Sequence, residues 1–252
     1  MLTVAITSGK GGVGKTTFSA NLAAALKQMG ERTLVFDADL QLANLDVVLG
    51  INPEFTLQHV VAGKKGLRDI ITTGPGGVDA VAGASGIPAL MSAGPKRMGT
   101  FIPELVRLER DYDVLLFDTA AGLDNRVITF MKLSHEVIIV CTPDPTSITD
   151  AYATIKTICR RDPDAHVRIV FNMAHPLEAE KLFAKLEKIV WQYLGKNIEL
   201  LGSVRYDREA IACGRKRKLF VLEHPDSEAT EDIIAIGRRL KAGVQKTALW
   251  AS

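Results

Sequence analysis

The chain has 252 residues, 31 Lys and Arg against 29 Asp and Glu for a formal net charge of +2, and 47% hydrophobic residues. That length can bury one large α/β core or two small ones, and a charge so near neutral does not by itself imply a nucleic-acid partner. No apolar run reaches the roughly 18 residues of a membrane span, no signal segment precedes the first strand-like run, and Cys141, Cys159 and Cys213 are too scattered for a disulfide framework or zinc site. These features predict a cytoplasmic protein with reduced thiols. The first predicted element is Leu2–Thr7, apolar and β-branched like a buried parallel strand.

Gly9-Lys10-Gly11-Gly12-Val13-Gly14-Lys15-Thr16-Thr17 follows and fits G-x-x-x-x-G-K-[ST], the loop that wraps nucleotide phosphates. Phe18, Leu22, Ala23, Ala25 and Leu26 then recur at helical spacing, and Gly30 is a stop signal. Strand, glycine loop and helix in this order aim unpaired N–H groups and the positive end of the helix at one point. The glycines Gly11, Gly12 and Gly14, with Val13, bring the backbone close to the phosphates. Lys15 is expected to reach the β- and γ-phosphates, Thr16 to ligate Mg²⁺ and Thr17 to touch the α-phosphate. An ordinary loop needs one lysine. The surplus Lys10 points to an ATPase whose site a second subunit completes.

Five further runs read as parallel strands: Glu31–Asp37, Asp113–Asp118, Glu136–Cys141, His166–Asn172 and Ile198–Val204. Helical patterns lie between or after them, at Pro103–Arg110, Thr146–Arg161, Leu177–Leu194 and Ser227–Leu240. The alternation predicts an α/β, doubly wound, mostly parallel sheet with helices on both faces, in one domain spanning 1–252. Residues Gly74–Gly99 read as loop, with a short strand at Val78–Val81. Residues 243–252 read as a flexible tail.

Asp37 and Asp39 end the second strand on one side of it. One can hold the magnesium water shell while the other orients the attacking water. Asp118 ends an apolar strand in the Walker B manner and is expected to bind Mg²⁺ through water, with Thr119–Gly122 as a loop that swings when the γ-phosphate leaves. Asn172 ends its strand on the same edge, where its amide can donate to and accept from adenine. Its bland alternative is a cap on the next helix. The basic run Arg215–Lys218, with Arg205 and Arg208 nearby, reads more readily as a solvated face than as a DNA site, since no aromatics interleave. His135, His166, His175 and His224 lack metal-ligand spacing and read as structural. The basic amphipathic segment Ile233–Trp250 reads as a last helix packed on the sheet, with a membrane-surface helix as the alternative.

These motifs together resemble the MinD/ParA family of deviant Walker A ATPases. The resemblance is carried by Gly9–Thr17, Asp37-Ala38-Asp39-Leu40, Asn44-Leu45-Asp46, Phe117–Gly122 and Pro145–Tyr152. Within the family the chain looks most like the FlhG/FleN flagellar-number regulators, on Asp118–Gly122, Asp144–Tyr152, Asn172–His175 and Leu182–Leu186. Cell-division MinD proteins tend to have a proline where this chain has Thr119 or Ala120. The resemblance implies a SIMIBI-type P-loop NTPase fold, ATP/ADP and Mg²⁺ as ligands, and an ATP-dependent homodimer in which Lys10 reaches the partner's nucleotide. It makes Lys10, Lys15 and Asp39 catalytic, with Asp39 activating water and Asp37 and Asp118 on the magnesium side. It also implies a regulatory protein partner, such as a flagellar transcriptional activator or assembly component, and a cytoplasmic location that can extend to the inner membrane face. Arg205 stands where the family usually has a proline, which puts adenine contacts from that loop in doubt. The competing readings are a MinD-type septum-site or ParA-type partitioning ATPase, acting on membrane or nonspecific DNA. An iron–sulfur electron donor is opposed by the absence of cysteine from Asp118–Asn125.

Overall fold

The computed structural model describes residues 1–39, 43–83, 103–122 and 124–248. Its eight-stranded sheet has the order β3-β4-β2-β5-β1-β6-β7-β8. The strands are β1 (Leu2–Ser8), β2 (Thr33–Ala38), β3 (Ile71–Thr73), β4 (Asp79–Val81), β5 (Val114–Ala121), β6 (Glu136–Cys141), β7 (Val167–Asn172) and β8 (Glu199–Val204). Every pairing is parallel except β3 with β4. The chain winds outward from β1 through β2, returns to β5, and then crosses to β6 on the other side of β1. The carboxyl end of β1 is therefore the switch point, where open α/β sheets leave a crevice.

The helices are α1 (Lys15–Gln28), α2 (Leu45–Leu49), α3 (Leu57–Val61), α4 (Asn125–Lys132), α5 (Pro145–Arg161), α6 (Pro176–Leu194), α7 (Arg208–Arg215), α8 (Phe220–Glu223) and α9 (Glu228–Ala248). A helical stretch at 103–107 runs into a 3₁₀ turn at Leu108–Arg110. Alternation along the strands sends side chains to two cores. Val4, Ile6, Val35 and Leu116 meet Leu22 and Leu26 of α1 and Ile233, Ile236 and Leu240 of α9. On the opposite face, Ile139, Ile169 and Phe171 meet Ile155 of α5 and Leu186 and Val190 of α6. Beside them Phe36 and Phe117 pack on Phe130 of α4, with ring centroids 5.1–5.9 Å apart.

The expected long elements are present, and three details differ. The strand of Asp118 does not end there: β5 continues through Thr119, Ala120 and Ala121, and the chain leaves it at Gly122 with φ 92°. Thr119 is held in the strand because its hydroxyl donates to the Ile6 carbonyl at 3.1 Å. The expected swinging segment thus starts later. The second strand starts at Thr33, two residues later than expected, because Arg32 is turned to Asp113, with its Nη2 2.7 Å from Oδ1. The last helix runs on through Ala248, so residues 243–248 of the expected tail are helical, while Trp250 lies outside the described residues. Most of the expected Gly74–Gly99 loop, and Leu40, also lie outside them.

Phe117 is fully buried between Phe36 and Phe130. Phe117→Ala is expected to cost about 3–5 kcal/mol of unfolding free energy, read by urea denaturation. A loss below about 1 kcal/mol would show that the aromatic cluster does not anchor this side of the sheet.

Candidate functional site

The loop after β1 is shaped by two glycines in the left-handed region, Gly12 at φ 81° and Gly14 at φ 86°. Gly14 is the N-cap of α1, and no side chain caps the first turn. The first N–H groups of α1 therefore remain available to an anion. A Cβ on Gly14 would collide with the Asn172 amide, so only glycine permits this approach. The loop forms one wall of a cleft of about 430 Å³. Gly11, Gly12, Val13, Gly14, Lys15, Thr16 and Thr17 line it together with Asp39, Asn44, Val48, Ala120 and Ala121.

Under the cleft floor lies a nearly dry charged cluster. Asp118 is fully buried and Lys15 is 9% exposed. Lys15 Nζ stands 3.4 Å from Asp118 Oδ1, and the Ser19 hydroxyl donates to the same oxygen at 2.9 Å. Burial pushes the Asp118 carboxyl above its ordinary value, against the pull of Lys15 and of the Thr16 and Ser19 hydroxyls. Its second oxygen, Oδ2, is buried with no hydrogen-bond partner. A buried carboxylate oxygen without a donor is costly unless a cation completes it. Oxygen donors here, with Thr16 in the adjacent turn, suit a hard divalent ion such as Mg²⁺. Sequence reasoning missed Ser19. Its signal was its place four residues after Lys15, on the same face of α1.

Asp37 is also fully buried and is the direct register partner of Asp118 across β2 and β5. Its Oδ1 accepts the Asp39 N–H and its Oδ2 accepts those of Asn44 and Leu45, all at 3.1 Å. Asp37 therefore shapes the segment that carries Asp39 and Asn44 to the cleft, a duty that its expected magnesium role did not include. Burial and the neighbouring Asp118 raise its pKa to about 7, against the opposing backbone donors.

The remaining expected residues separate. Lys10 does not line the cleft. Its ammonium donates to the Thr146 hydroxyl at 2.9 Å and lies 3.6 Å from Asp144 Oδ1, at the start of α5. Gly9 packs so closely on the Asp150 backbone that no Cβ would fit, which fixes where the loop departs. Asn172 does not cap the next helix; His175 does, accepting from the Leu177 N–H at 3.3 Å. The Asn172 amide instead donates to the Val13 carbonyl at 2.7 Å. One of its two N–H donors is thus spent on the phosphate loop, which leaves the other and the acceptor oxygen for a base. His135 is likewise structural, its Nδ1 lying 3.1 Å from the Thr3 nitrogen.

Arg205 is turned into the fold. Its guanidinium forms a bidentate pair with Asp232, both bonds at 2.9 Å, its backbone N–H donates to the same carboxylate, and Glu228 lies 2.6 Å from Nη1. Lys218 pairs with Glu223 at 2.7 Å. The basic stripe needed for nonspecific DNA binding is therefore interrupted at both ends.

The family model ParA, described as the NUBPL iron-transfer P-loop NTPase, matches residues 2–241. The chain belongs to the ParA/MinD family of P-loop NTPases. It is 40% identical to the antiactivator FleN of Pseudomonas aeruginosa over 94% of this chain and 85% of that protein. It is 34% identical to the flagellum site-determining protein YlxH of Helicobacter pylori over 98% of this chain and 84% of that one. The solved septum site-determining protein MinD of Pyrococcus horikoshii, complexed with Mg-ADP, superposes with a TM-score of 0.78 at 27% identity, over 96% of this chain and 98% of that one. Members of this family are ATPases, and the cleft here opens at the carboxyl end of β1, the switch point of the sheet. Among the described residues no helix is long and apolar enough to cross a membrane.

The raised Asp37 pKa gives a pH dependence of defined sign. The folded state holds the Asp37 proton up to about pH 7, whereas an unfolded chain releases it near pH 3.9. The Asp37 contribution to stability is therefore fully present below about pH 4 and is lost as pH rises through about 7, at about 1.4 kcal/mol per pH unit. The difference in unfolding free energy between wild type and Asp37→Asn, followed by urea titration of the ligand-free protein, should fall with that slope from pH 4 to 7. A flat difference would refute the buried, proton-holding Asp37.

Proposed function

We propose that this chain is an ATP-gated dimerising switch that controls the number or placement of a cellular structure, and that in its cell this structure is the flagellum. The likeness to FleN and YlxH supports the flagellar assignment. The observation that carries the switch is the placement of Lys10. The loop lysine that the chemistry needs beside the phosphates is Lys15. Lys10 is held outside its own cleft, 47% exposed, by a hydroxyl and a carboxylate of α5. A cation so placed serves a nucleotide other than its own, in a second protomer facing the carboxyl edge of the sheet.

In this reading the first-turn amides of α1 and Lys15 hold the phosphates. Thr16 and Asp118, with Asp37 beside it, hold Mg²⁺, which draws charge from the phosphate oxygens. Asp39 orients the attacking water, and Asn172 accepts from the exocyclic amine of adenine, which guanine lacks at that position. ATP joins two protomers and hydrolysis parts them, so the protein times an interaction with a regulatory partner. The partner's chemistry follows from the flagellar reading: a transcriptional activator or an assembly component. A membrane surface remains the partner of the MinD-type alternative. Nonspecific DNA is disfavoured by the inward turn of Arg205.

Light scattering provides the central test. Asp39→Ala with ATP and Mg²⁺ is expected to run as a stable dimer and with ADP as a monomer, and a variant monomeric under both conditions would refute the switch. Lys10→Ala should retain ATP binding while hydrolysis falls by roughly 10³-fold, the scale of a charge donated in trans. Hydrolysis at the wild-type rate in that variant would remove Lys10 from the mechanism.

A further inference from the structure

The turn that joins α7 to α8 carries more positive charge than the fold uses. Arg208, Ile211 and Arg215 stand at i, i+3 and i+7 on α7, so they share one face of it, and all three are exposed. Lys216 and Arg217 follow, also exposed. Among the described residues Arg208, Arg215, Lys216 and Arg217 have neither an ion pair nor a side-chain hydrogen bond. The nearby carboxylates are turned to other groups. Asp207 caps α7, accepting from the Glu209 and Ala210 N–H groups. Glu223 pairs with Lys218 at 2.7 Å, and Glu209 Oε2 faces His224 Nε2 at 3.6 Å. The surplus charge is left on one face, around one apolar side chain.

The turn is firmly built. The Lys216 N–H donates to the Cys213 carbonyl at 2.9 Å, that of Arg217 to Gly214 at 3.1 Å and that of Lys218 to Cys213 at 3.0 Å. Such a helix end has a left-handed residue that is usually glycine. Here that residue is Arg217, at φ 57°. A side chain in that region strains the backbone, and strained residues concentrate at functional sites. The Arg217 carbonyl is pressed onto the end of α2, where a Cβ on Gly50 would stand 2.8 Å from it. Beyond the turn, α8 is tied to α1. The buried Asn21 accepts from the Val221 N–H at 3.1 Å and donates to the Thr17 carbonyl at 2.8 Å. The cations thus project from a fixed frame, which lowers the ordering cost of engaging them.

We infer that this face docks an acidic segment of a protein partner, with carboxylates on Arg208, Arg215 and Arg217 and an apolar side chain on Ile211. Guanidinium groups suit carboxylates because two parallel N–H groups meet two oxygens. Duplex DNA fits less well. Its phosphates run in a long row, and the cations here are cut off on both sides by Arg205 and Lys218, which are paired. A lipid surface needs a broader apolar face than Ile211 supplies. None of these residues lines the nucleotide cleft. The inference rests on the regulatory reading only for the existence of a partner, and adds the surface which that partner would hold.

The test is fluorescence anisotropy of the full chain with a labelled peptide of glutamates and aspartates around one leucine, at low ionic strength. The wild type should bind the peptide, and added salt should weaken binding. Arg215→Glu with Arg217→Glu should weaken it by about tenfold or more. Arg107→Glu with Arg110→Glu makes the same change of charge at exposed residues elsewhere, and should leave binding within about twofold of wild type. Arg217→Gly should weaken binding by about threefold yet raise the urea midpoint, because glycine relieves the left-handed strain. Four outcomes would overturn the assignment: no peptide binding by wild type, an equal effect of the two charge-reversed pairs, a lowered midpoint in Arg217→Gly, or tighter binding of duplex DNA or anionic vesicles than of the peptide. Dimerisation and hydrolysis report on the cleft, so failure there and failure here are distinguishable.

Discussion

Two fully buried carboxylates stand side by side on the central strands, and the site is arranged around them. Asp37 and Asp118 are register partners on adjacent central strands, and both are fully buried. Buried like charges raise each other's pKa and cost stability unless something offsets them. Lys15 and Ser19 approach one oxygen of Asp118 and leave the other without a donor. Three backbone N–H groups approach Asp37. The offset is incomplete on the Asp118 side, where the proposed divalent cation would complete it. The same pair links the site to its surroundings, because the donors to Asp37 belong to the segment that delivers Asp39 and Asn44. A change in charge at the carboxylates is thereby a change in the hold on that segment.

The phosphate loop is braced on both sides by groups distant in sequence. On one side Asn172 donates to Val13 and packs on Gly14. On the other, Gly9 lies on Asp150, and Lys10 is held by Thr146 and Asp144. Three charge-assisted or hydroxyl bonds around Asp144 hold its carboxyl well below the usual carboxylate range, so the group holding Lys10 stays ionised at any physiological pH. At the far edge Arg205 ties the turn after β8 to Asp232 and Glu228 of α9. Arg205 thus holds this turn by ion pairs.

Long periodic elements were legible because burial on both faces demands unbroken apolar runs, as in β1, β6 and β7. The elements missed were short or irregular. The five-residue helices α2 and α3 and the three-residue β3 carry too few residues to show a period. The continuation of β5 past Asp118 was hidden because Ala120 and Ala121 are poor strand formers and Thr119 alone is too little to mark a strand. They extend because β1 and β2 lie alongside and because Thr119 bonds to Ile6.

The sequence by itself determined the phosphate loop, the acidic strand ends and the doubly wound order of elements. Each of these is local: a glycine pattern, a periodicity or a terminal carboxylate can be read within a few residues. Only the tertiary structure decided that Asp37 and Asp118 are neighbours and that Ser19 joins them. It alone decided that the Asn172 amide donates to Val13 and that Lys10 rests outside its own cleft. These facts depend on strand register and on the packing of segments up to 159 positions apart. Linear spacing carries no information about which of a side chain's possible partners reaches it first.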